Sequence, residues 1–220
     1  MLRQAQGLFE RRNWLAEFVA PNEDSLQYPH TANIDKHTFT SGRMKGKYEL
    51  FEFLLSRMPE EVRGMSWLEV GCCDGANLLV LRKLGVENLS GFEINPDFLE
   101  AGKCYDKEAV GSIKTSCSSA EDYFAGNPEA CDVIFSCAVL QHINPASSGV
   151  FSSIAELARK YVITIEAEMQ CNRFHYPRNY ARIFSALGYE ELESALIEPQ
   201  LYPGVESNYL GYMIRILKKL

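Results

Sequence analysis

Short apolar segments alternate with segments of helical periodicity from about Lys45 onward, and this alternation constrains the fold more than any other feature. The clearest apolar segments are residues 67–70, 89–94, 132–137 and 161–165. Strands that alternate with helices pair mainly in parallel, and the helices cover both faces of the sheet. The sequence therefore predicts an α/β fold with a mostly parallel sheet. In such a sheet, ligands bind beyond the carboxyl ends of the strands, where the strand order reverses.

The first part of the chain has a different character. One short helix is predicted near residues 7–19, and residues 21–42 are rich in turn-forming residues without a clear period. This pattern is typical of a loop-rich arm. We therefore divide the chain into an N-terminal arm or lid, residues 1–44, and a ligand-binding domain, residues 45–220.

The composition is that of a globular domain, since the 220 residues are 46% hydrophobic and 23% charged, which excludes a disordered chain. A net charge of −7 disfavours nucleic acid as a partner, because binding to it draws its energy from basic surface. No apolar run approaches the roughly 20 residues that span a bilayer, so we expect no membrane segment. The seven cysteines contain no C-x-x-C pair, which favours free thiols and a cytoplasmic location. The histidines lack metal-ligand spacing, and we expect no metal site.

A glycine-containing turn after residues 67–70 points to a nucleotide-like ligand. Gly71 and Gly75 lie in this strand-to-helix turn, where the missing Cβ lets the backbone approach a ligand. Glu93 ends the next apolar segment, about 20 residues later, where an acidic side chain can accept hydrogen bonds from ribose hydroxyls. Together these features predict an adenosine-type ligand. Nicotinamide cofactors fit less well, because their glycine pattern requires glycine at the position of Cys73.

The turn has the pattern E-x-G-x-x-x-G from Glu69 to Gly75, which resembles motif I of the class I S-adenosylmethionine-dependent methyltransferases. The resemblance continues along residues 67–217. Residues 118–122 resemble the segment that frames the adenine, residues 132–143 resemble motif IV, and the last two predicted strands resemble the closing hairpin. The resemblance implies a Rossmann-like class I methyltransferase fold, with a mostly parallel seven-stranded sheet, helices on both faces and an antiparallel last strand.

The resemblance also implies S-adenosylmethionine as the methyl donor, with S-adenosylhomocysteine as the product. Glu93 would hold the ribose diol, Ile94 would lie against the adenine, and Cys137 would approach the sulfonium. The implied donor-binding residues are Glu69, Gly71, Cys72, Cys73, Gly75, Asn77, Glu93, Ile94, Ser119, Ala120, Glu121, Ser136 and Cys137.

Two positions depart from the pattern of the family. Cys73 replaces the middle glycine of motif I, and Ser119 replaces an acid that often precedes the adenine-framing alanine. A fainter resemblance, to methylases associated with bacterial sugar biosynthesis, rests on the turn E-V-G-C-x-D-G and on H-I-N-P at residues 142–145. Both resemblances favour a small-molecule acceptor.

Methyl transfer to a hydroxyl or ammonium needs a group that takes a proton. We predict His142 for this role, because it follows the fourth strand and titrates near neutral pH; a structural histidine is the alternative. Glu166, after the fifth strand, is predicted to orient the acceptor, with a solvated carboxylate as the alternative. Two basic stretches predict a rim for a phosphate or carboxylate of the acceptor, or else a solvated basic face. The predicted acceptor-binding residues are Tyr28, His37, Arg43, Gln141, Arg173, His175 and Arg178.

The sequence thus predicts a methyltransferase that O- or N-methylates a small polar or anionic metabolite, as a monomer or homodimer. Aminopropyl transfer on the same fold is an alternative, although Gln141 and His142 stand where that chemistry uses acids. A non-catalytic subunit that binds the donor is a second alternative. Residues 21–42 would act as a lid over the acceptor or as a dimer contact.

Overall fold

The computed structural model describes residues 41–102, 113–169, 175–198 and 210–220. Its strands are β1 (Ser66–Val70), β2 (Asn88–Glu93), β3 (Lys114–Cys117), β4 (Cys131–Cys137), β5 (Ala158–Glu166), β6 (Tyr189–Leu196) and β7 (Met213–Lys219). Its α-helices are α1 (Ser41–Ser56), α2 (Ala76–Lys83), α3 (Pro96–Gly102), α4 (Ala120–Ala125), α5 (Gly149–Leu157) and α6 (Tyr180–Ala186). Short 3-10 turns occur at Glu60–Gly64, Leu140–His142 and Pro145–Ser147.

The seven strands form one sheet in the order β3-β2-β1-β4-β5-β7-β6. All neighbouring strands are parallel except β7, which runs antiparallel to β5 and β6. This arrangement confirms the predicted fold class. The order reverses between β1 and β4, and the pairing of Val70 with Ser136 brings their carboxyl ends side by side.

Helices pack on both faces of the sheet because each presents an apolar stripe to it. On one face, Phe51 of α1 and Trp67 of β1 both make edge-to-face contacts with Phe135, with ring centroids 5.8 Å apart in each case. On the other face, Phe151 of α5 and Phe184 of α6 are buried together. Each such side chain contributes about 1.5–3 kcal/mol when fully buried, so the sheet is a rigid base for its loops. No helix in the described ranges is long and apolar enough to cross a membrane.

Three element boundaries differ from the prediction, and one predicted helix is not covered by the structure. The Asn144-Pro145 pair predicts the start of a helix, but Asn144 caps only a 3-10 turn, in which its Oδ1 accepts a hydrogen bond from Ala146 N at 2.8 Å, and α5 begins at Gly149. Strand β5 begins three residues before the predicted segment. Helix α1 begins at Ser41, ahead of the proposed boundary at residue 44. The helix predicted near residues 7–19 lies outside the described residues.

A buried ion-pair group fastens the hairpin of β6 and β7 to the sheet. Arg215 of β7 donates from Nε to Glu168 Oε1 at 2.5 Å and from Nη2 to Glu168 Oε2 at 2.8 Å. Its Nη1 also donates to Glu191 of β6. Because Arg215 and Glu168 are both buried, loss of one partner would leave an uncompensated charge in the interior. The group thus supports the segment that follows β5.

Candidate active site

The loops that follow β1, β2, β3 and β4 surround a cavity of about 380 Å³ at the carboxyl ends of the strands. The strand order reverses at this edge of the sheet, which is where α/β sheets bind ligands. Ten predicted site residues line the cavity: Gly71, Cys72, Cys73, Asn77, Glu93, Ile94, Ala120, Glu121, Cys137 and His142. The structure therefore brings most of the predicted donor site and the predicted base into one chamber.

The turn between β1 and α2 uses backbone conformations that favour glycine. Gly71 has a φ of +67°, and a Cβ there would lie 2.5 Å from Val139 Cγ2 in the loop after β4. Gly75 has a φ of +79° and precedes the first residue of α2. Cys73 also has a positive φ, +51°, which costs a non-glycine residue about 1–2 kcal/mol. The loop thus keeps its left-handed conformation at the position where the family pattern has glycine.

The carboxylate of Glu93 is fixed by backbone hydrogen bonds at the end of β2. Its Oε2 accepts from Cys73 N and its Oε1 accepts from Asn95 N, both at 2.9 Å. Each carboxylate oxygen can accept a further hydrogen bond, and the side chain lines the cavity. Glu93 can therefore accept two hydroxyl donors from a ligand without losing its orientation.

A chain of polar side chains connects α1 to the floor of the cavity. Lys47 Nζ donates to Asn77 Oδ1, and Asn77 Nδ2 donates to Glu69 Oε1, each at 2.6 Å. Glu69 is fully buried, and within the described part of the chain its Oε2 has no hydrogen-bond partner. Burial raises the pKa of Glu69 from 4.5 to about 8, although Asn77 and Lys47 oppose this rise. The group combines a cation, an amide and an acceptor without a partner.

The other side of the cavity is apolar and open. Ile94 is 43% exposed although it is a large aliphatic residue, and it lines the cavity together with Phe98, Ala120 and Glu121. Exposed apolar surface inside a cleft is typical of a site for a planar or apolar ligand group. Ser119 does not line the cavity; its hydroxyl accepts from Asp122 N at 3.0 Å and caps α4.

His142 forms part of the wall that follows β4. Its ring lies 4.6 Å from the ring of His175, centroid to centroid, with an interplanar angle of 58°. Burial lowers the pKa of His175. Of the two histidines, His142 lines the cavity and His175 does not.

Four predicted site residues lie behind this wall instead of in the cavity. Glu166 accepts hydrogen bonds from the hydroxyl of Ser136 and from the backbone N–H groups of residues 139–141. Arg178 donates to carbonyls of the same loop, and the side chain of Gln141 contacts Ala167 N and the Tyr212 hydroxyl. The expectation that these side chains contact donor or acceptor is therefore corrected, because their polar atoms are used to hold the loop. Burial raises the pKa of Glu166 to about 7.

Several predicted acceptor residues are not placed by the structure. Tyr28, His37 and Arg173 lie outside the described residues, and Arg43 is described only as part of α1. No group of three or more metal-ligating side chains occurs in the ranges that are described.

Sequence reasoning included Lys47 only in a basic stretch of the predicted acceptor rim and missed Asn144, although both line the cavity. A signal for Lys47 exists, since it lies on the apolar stripe of α1 that continues through Leu50, Phe51 and Leu54. A charged residue on a buried stripe needs a partner, which makes it a candidate for function. The side chain of Asn144 faces the cavity only because the turn at Pro145–Ser147 places it there, and a sequence pattern does not show that.

Residues 68–163 match the protein family described as a methyltransferase domain. The matched region contains β1, the glycine turn, Glu93 and the loop after β4, which together form the cavity. The chain thus contains a methyltransferase domain, and its fold is that of the class I S-adenosylmethionine-dependent methyltransferases. A structure with this fold has been solved both with bound S-adenosylmethionine and with bound S-adenosylhomocysteine. No curated protein sequence matches the chain significantly.

Solved structures share the methyltransferase fold at low sequence identity. The magnesium protoporphyrin IX methyltransferase of Synechocystis PCC 6803, with bound S-adenosylmethionine, is 14% identical with a TM-score of 0.62, over 81% of this chain and 80% of that one. An S-adenosylmethionine-dependent methyltransferase from Mesorhizobium loti is 10% identical with a TM-score of 0.57, over 78% and 98%. The mitomycin 7-O-methyltransferase is 10% identical with a TM-score of 0.61, over 89% of this chain and 59% of that one.

The residues of this methyltransferase fit the donor. The Oε2 of Glu69 without a partner suits an ammonium group, Lys47 suits a carboxylate, and Glu93 suits a ribose diol. The close approach of Gly71 to Val139 leaves the backbone, and not a side chain, at the floor of the cavity.

Proposed function

We propose that this enzyme transfers the methyl group of S-adenosylmethionine to an oxygen or nitrogen of a small polar metabolite. The observation that carries the proposal is that Glu93 and His142 line the same cavity. A group suited to ribose and a group suited to proton transfer thus face one ligand space from opposite loops. The base and the acceptor class are the parts of this proposal that need experiment.

In the proposal, Glu93 accepts hydrogen bonds from the two ribose hydroxyls. Lys47 and Asn77 bind the carboxylate of the methionine portion, and Glu69 accepts from its ammonium through Oε2. Support comes from the hydrogen bonds that already orient these groups, at 2.6–2.9 Å. Ile94 and Ala120 provide the apolar surface against which the adenine lies.

When bound, the donor supplies a methyl carbon that its sulfonium has already activated. The residues of the enzyme therefore have to orient the acceptor, exclude water and take one proton. His142 accepts, at a ring nitrogen, the proton of the attacking hydroxyl; for a nitrogen acceptor it first takes the proton of the ammonium, and the neutral amine then attacks. Val139 and Ile143 line the same cavity as His142, so the proposed base lies beside apolar side chains.

The acceptor is proposed to be polar and small. The cavity of about 380 Å³ is near the lower limit of roughly 300 Å³ for small-molecule sites, so the described residues enclose little beyond the donor. We therefore expect the acceptor to enter on the His142 side. Arg178 does not support an anion rim, since its guanidinium donates to loop carbonyls, and such a rim would depend on His37, Arg43 and Arg173.

Donor binding is tested by calorimetry with S-adenosylhomocysteine. We expect Glu93→Gln to weaken binding at least tenfold, because a buried acceptor pair at the ribose is lost. The matched control is Glu87→Gln, which changes an exposed glutamate at the opposite end of the β2 region. Equal affinities for both variants would contradict the donor site proposed here.

The acceptor and the base are tested by release of S-adenosylhomocysteine with phosphorylated sugars, amino sugars, amino acids and amines. With an active acceptor, His142→Asn should lower kcat by about 10²–10⁴-fold and leave the affinity for S-adenosylhomocysteine within about threefold. A kcat that changes less than twofold would exclude His142 as the base while leaving the methyltransferase assignment intact.

A further inference from the structure

The loop after β4 has an unusually complete set of backbone hydrogen bonds. All six N–H groups from residues 138–143 have an acceptor. Three of them, at residues 139–141, donate to the single carboxylate of Glu166 at 3.1–3.2 Å. The Ser136 hydroxyl donates to the same carboxylate at 2.5 Å. One fully buried side chain therefore accepts four hydrogen bonds from this loop and the strand before it.

The carbonyl groups of the same loop are held from the opposite direction. Arg178 donates from Nη1 to Leu140 O at 3.0 Å and from Nη2 to Ile143 O. Its guanidinium also lies 5.2 Å from the ring centre of Phe151, which fixes the plane of the fork. Tyr176 N donates to Gln141 O at 2.8 Å. The loop is thus held at its donors by a carboxylate and at its acceptors by a guanidinium.

The side chain of Gln141 carries this restraint to the predicted base. Its Oε1 accepts from Ala167 N at 2.7 Å, and its Nε2 donates to the Tyr212 hydroxyl at 3.0 Å. The same Nε2 lies 3.3 Å from Nε2 of the neighbouring His142. The loop backbone that carries His142 is therefore held on both of its sides, and the Gln141 amide restrains one nitrogen of the His142 imidazole.

We infer that Glu166 and Arg178 are positioning residues that set the location of His142 from behind the cavity wall. This inference rests on the proposed function, in which His142 accepts the proton. A carboxylate is suited to the first role because it presents only acceptors to four converging donors. Arg178 suits the second because its planar fork reaches two carbonyls at once.

The test uses Glu166→Gln and Arg178→Lys, which keep the size of one side chain and the charge of the other. Glutamine would turn an NH₂ group toward backbone donors, and lysine lacks the planar fork whose two nitrogens reach Leu140 O and Ile143 O separately. Matched controls are Glu190→Gln on β6 and Arg182→Lys on α6. Two measurements apply to each protein: hydrogen exchange of the peptide that contains residues 138–144, and the NMR signal of the His142 imidazole, identified by its loss in His142→Asn.

We expect both variants to exchange the loop amides at least tenfold faster than the parent, with β1 unchanged. The His142 signal should shift, and the midpoint of its pH titration should move. Neither change should occur in the controls. Unchanged loop exchange and an unchanged His142 signal in the folded variants would overturn the inference.

Two further measurements cover the cases in which Glu166→Gln does not fold or the parent protein does not bind S-adenosylhomocysteine. If Glu166→Gln does not fold, Ser136→Ala removes one of the four hydrogen bonds to the carboxylate, and faster exchange confined to the loop supports the inference while parent-like exchange overturns it. Binding of S-adenosylhomocysteine is measured in parallel. A parent protein that does not bind it contradicts the proposed function, whereas the loop and His142 measurements decide the positioning role by themselves.

Discussion

Glu69 should make the stability of this enzyme fall as the pH rises through the neutral range. Its side chain is fully buried, and burial raises its pKa from 4.5 to about 8. Between these values the folded protein keeps a proton that the unfolded chain has released. Its contribution to the free energy of unfolding is therefore complete below about pH 4.5 and is lost as the pH approaches 8.

The size of the effect follows from the two pKa values. One pKa unit corresponds to about 1.4 kcal/mol, so the rise from 4.5 to about 8 corresponds to about 5 kcal/mol in total. Roughly 3 kcal/mol of this is lost between about pH 5 and pH 7. Since Glu69 has no exposed surface, solvent screening does not reduce the figure as it would at the surface.

Replacement of Glu69 by glutamine removes this titration and keeps the side-chain shape. Glutamine still accepts from Asn77 Nδ2 through its Oε1, and its unsatisfied NH₂ group adds a penalty that does not depend on pH. Urea unfolding of the parent and of Glu69→Gln at about pH 5, 6, 7 and 8 gives the difference in unfolding free energy. That difference should change in favour of the variant by about 1.4 kcal/mol per pH unit. Glu190→Gln, at an exposed position on β6, is the control and should show no slope.

Parallel stability curves for the parent and Glu69→Gln would refute the reasoning. So would a difference that changes in favour of the variant as the pH falls, because that would mean the buried carboxylate is ionised in the folded protein. The titration of Glu166 does not interfere, since it is present in both proteins and cancels in the difference.

Three other measurements address the donor site and the frame around it. Binding of S-adenosylmethionine near pH 7 should release close to one proton in the parent and none in Glu69→Gln, because an ammonium at Oε2 favours the ionised carboxylate. The release is measured by calorimetry in two buffers of different ionisation enthalpy. Equal binding heats of the parent in the two buffers would contradict the prediction. Gly71→Ala should lower the free energy of unfolding by about 2–4 kcal/mol and Gly75→Ala by only about 1–2 kcal/mol, because a Cβ clashes at the first position and meets open space at the second. Similar losses for the two variants in urea unfolding would contradict the close contact between position 71 and Val139. Glu168→Gln should lower stability by about 3–5 kcal/mol, because it leaves Arg215 partly uncompensated in the interior; a loss below about 1 kcal/mol would show that water reaches this group.

The strands could be predicted because their apolar runs are bounded by glycine, proline and polar residues. Residues 67–70 and 132–137 correspond to β1 and β4 with one further residue at each beginning. Strand β5 begins earlier than predicted because Arg159 and Lys160 extend it with exposed side chains. Local polarity hides such an extension, which is held by the pairing of Ala158 with Cys131 of β4 and by hydrogen bonds from Tyr189 and Lys219 to Ala158 O.

The backbone part of the candidate site could also be predicted. Gly71, Gly75 and Glu93 were identified by spacing, and spacing reflects the strand-to-helix turn that the chain makes here. Cys73 shows the limit of this reasoning, because its left-handed conformation cannot be read from a cysteine. The hydrogen bond from Cys73 N to Glu93 Oε2 holds Cys73 in that conformation.

The polar residues behind the wall could not be assigned from sequence. Glu166, Gln141 and Arg178 follow strands or precede a helix at the correct edge of the sheet, which is equally suited to binding a ligand or a loop. The direction of each side chain depends on hydrogen bonds to residues far along the chain, such as the one that Arg178 donates to Leu140 O. Only the folded arrangement distinguishes the two roles.

The close contact between Gly71 and Val139 couples the substitutions that are possible in two parts of the enzyme. Gly71 lies in the turn between β1 and α2, which is proposed to bind the donor, and Val139 lies in the cavity wall after β4, which is proposed to face the acceptor. The space between them does not admit another carbon atom. A side chain at position 71 would require a residue smaller than valine at position 139. Substitutions that adapt the wall to a new acceptor are therefore restricted to those that leave room for the donor turn, and we expect positions 71 and 139 to vary together among relatives and in engineered variants.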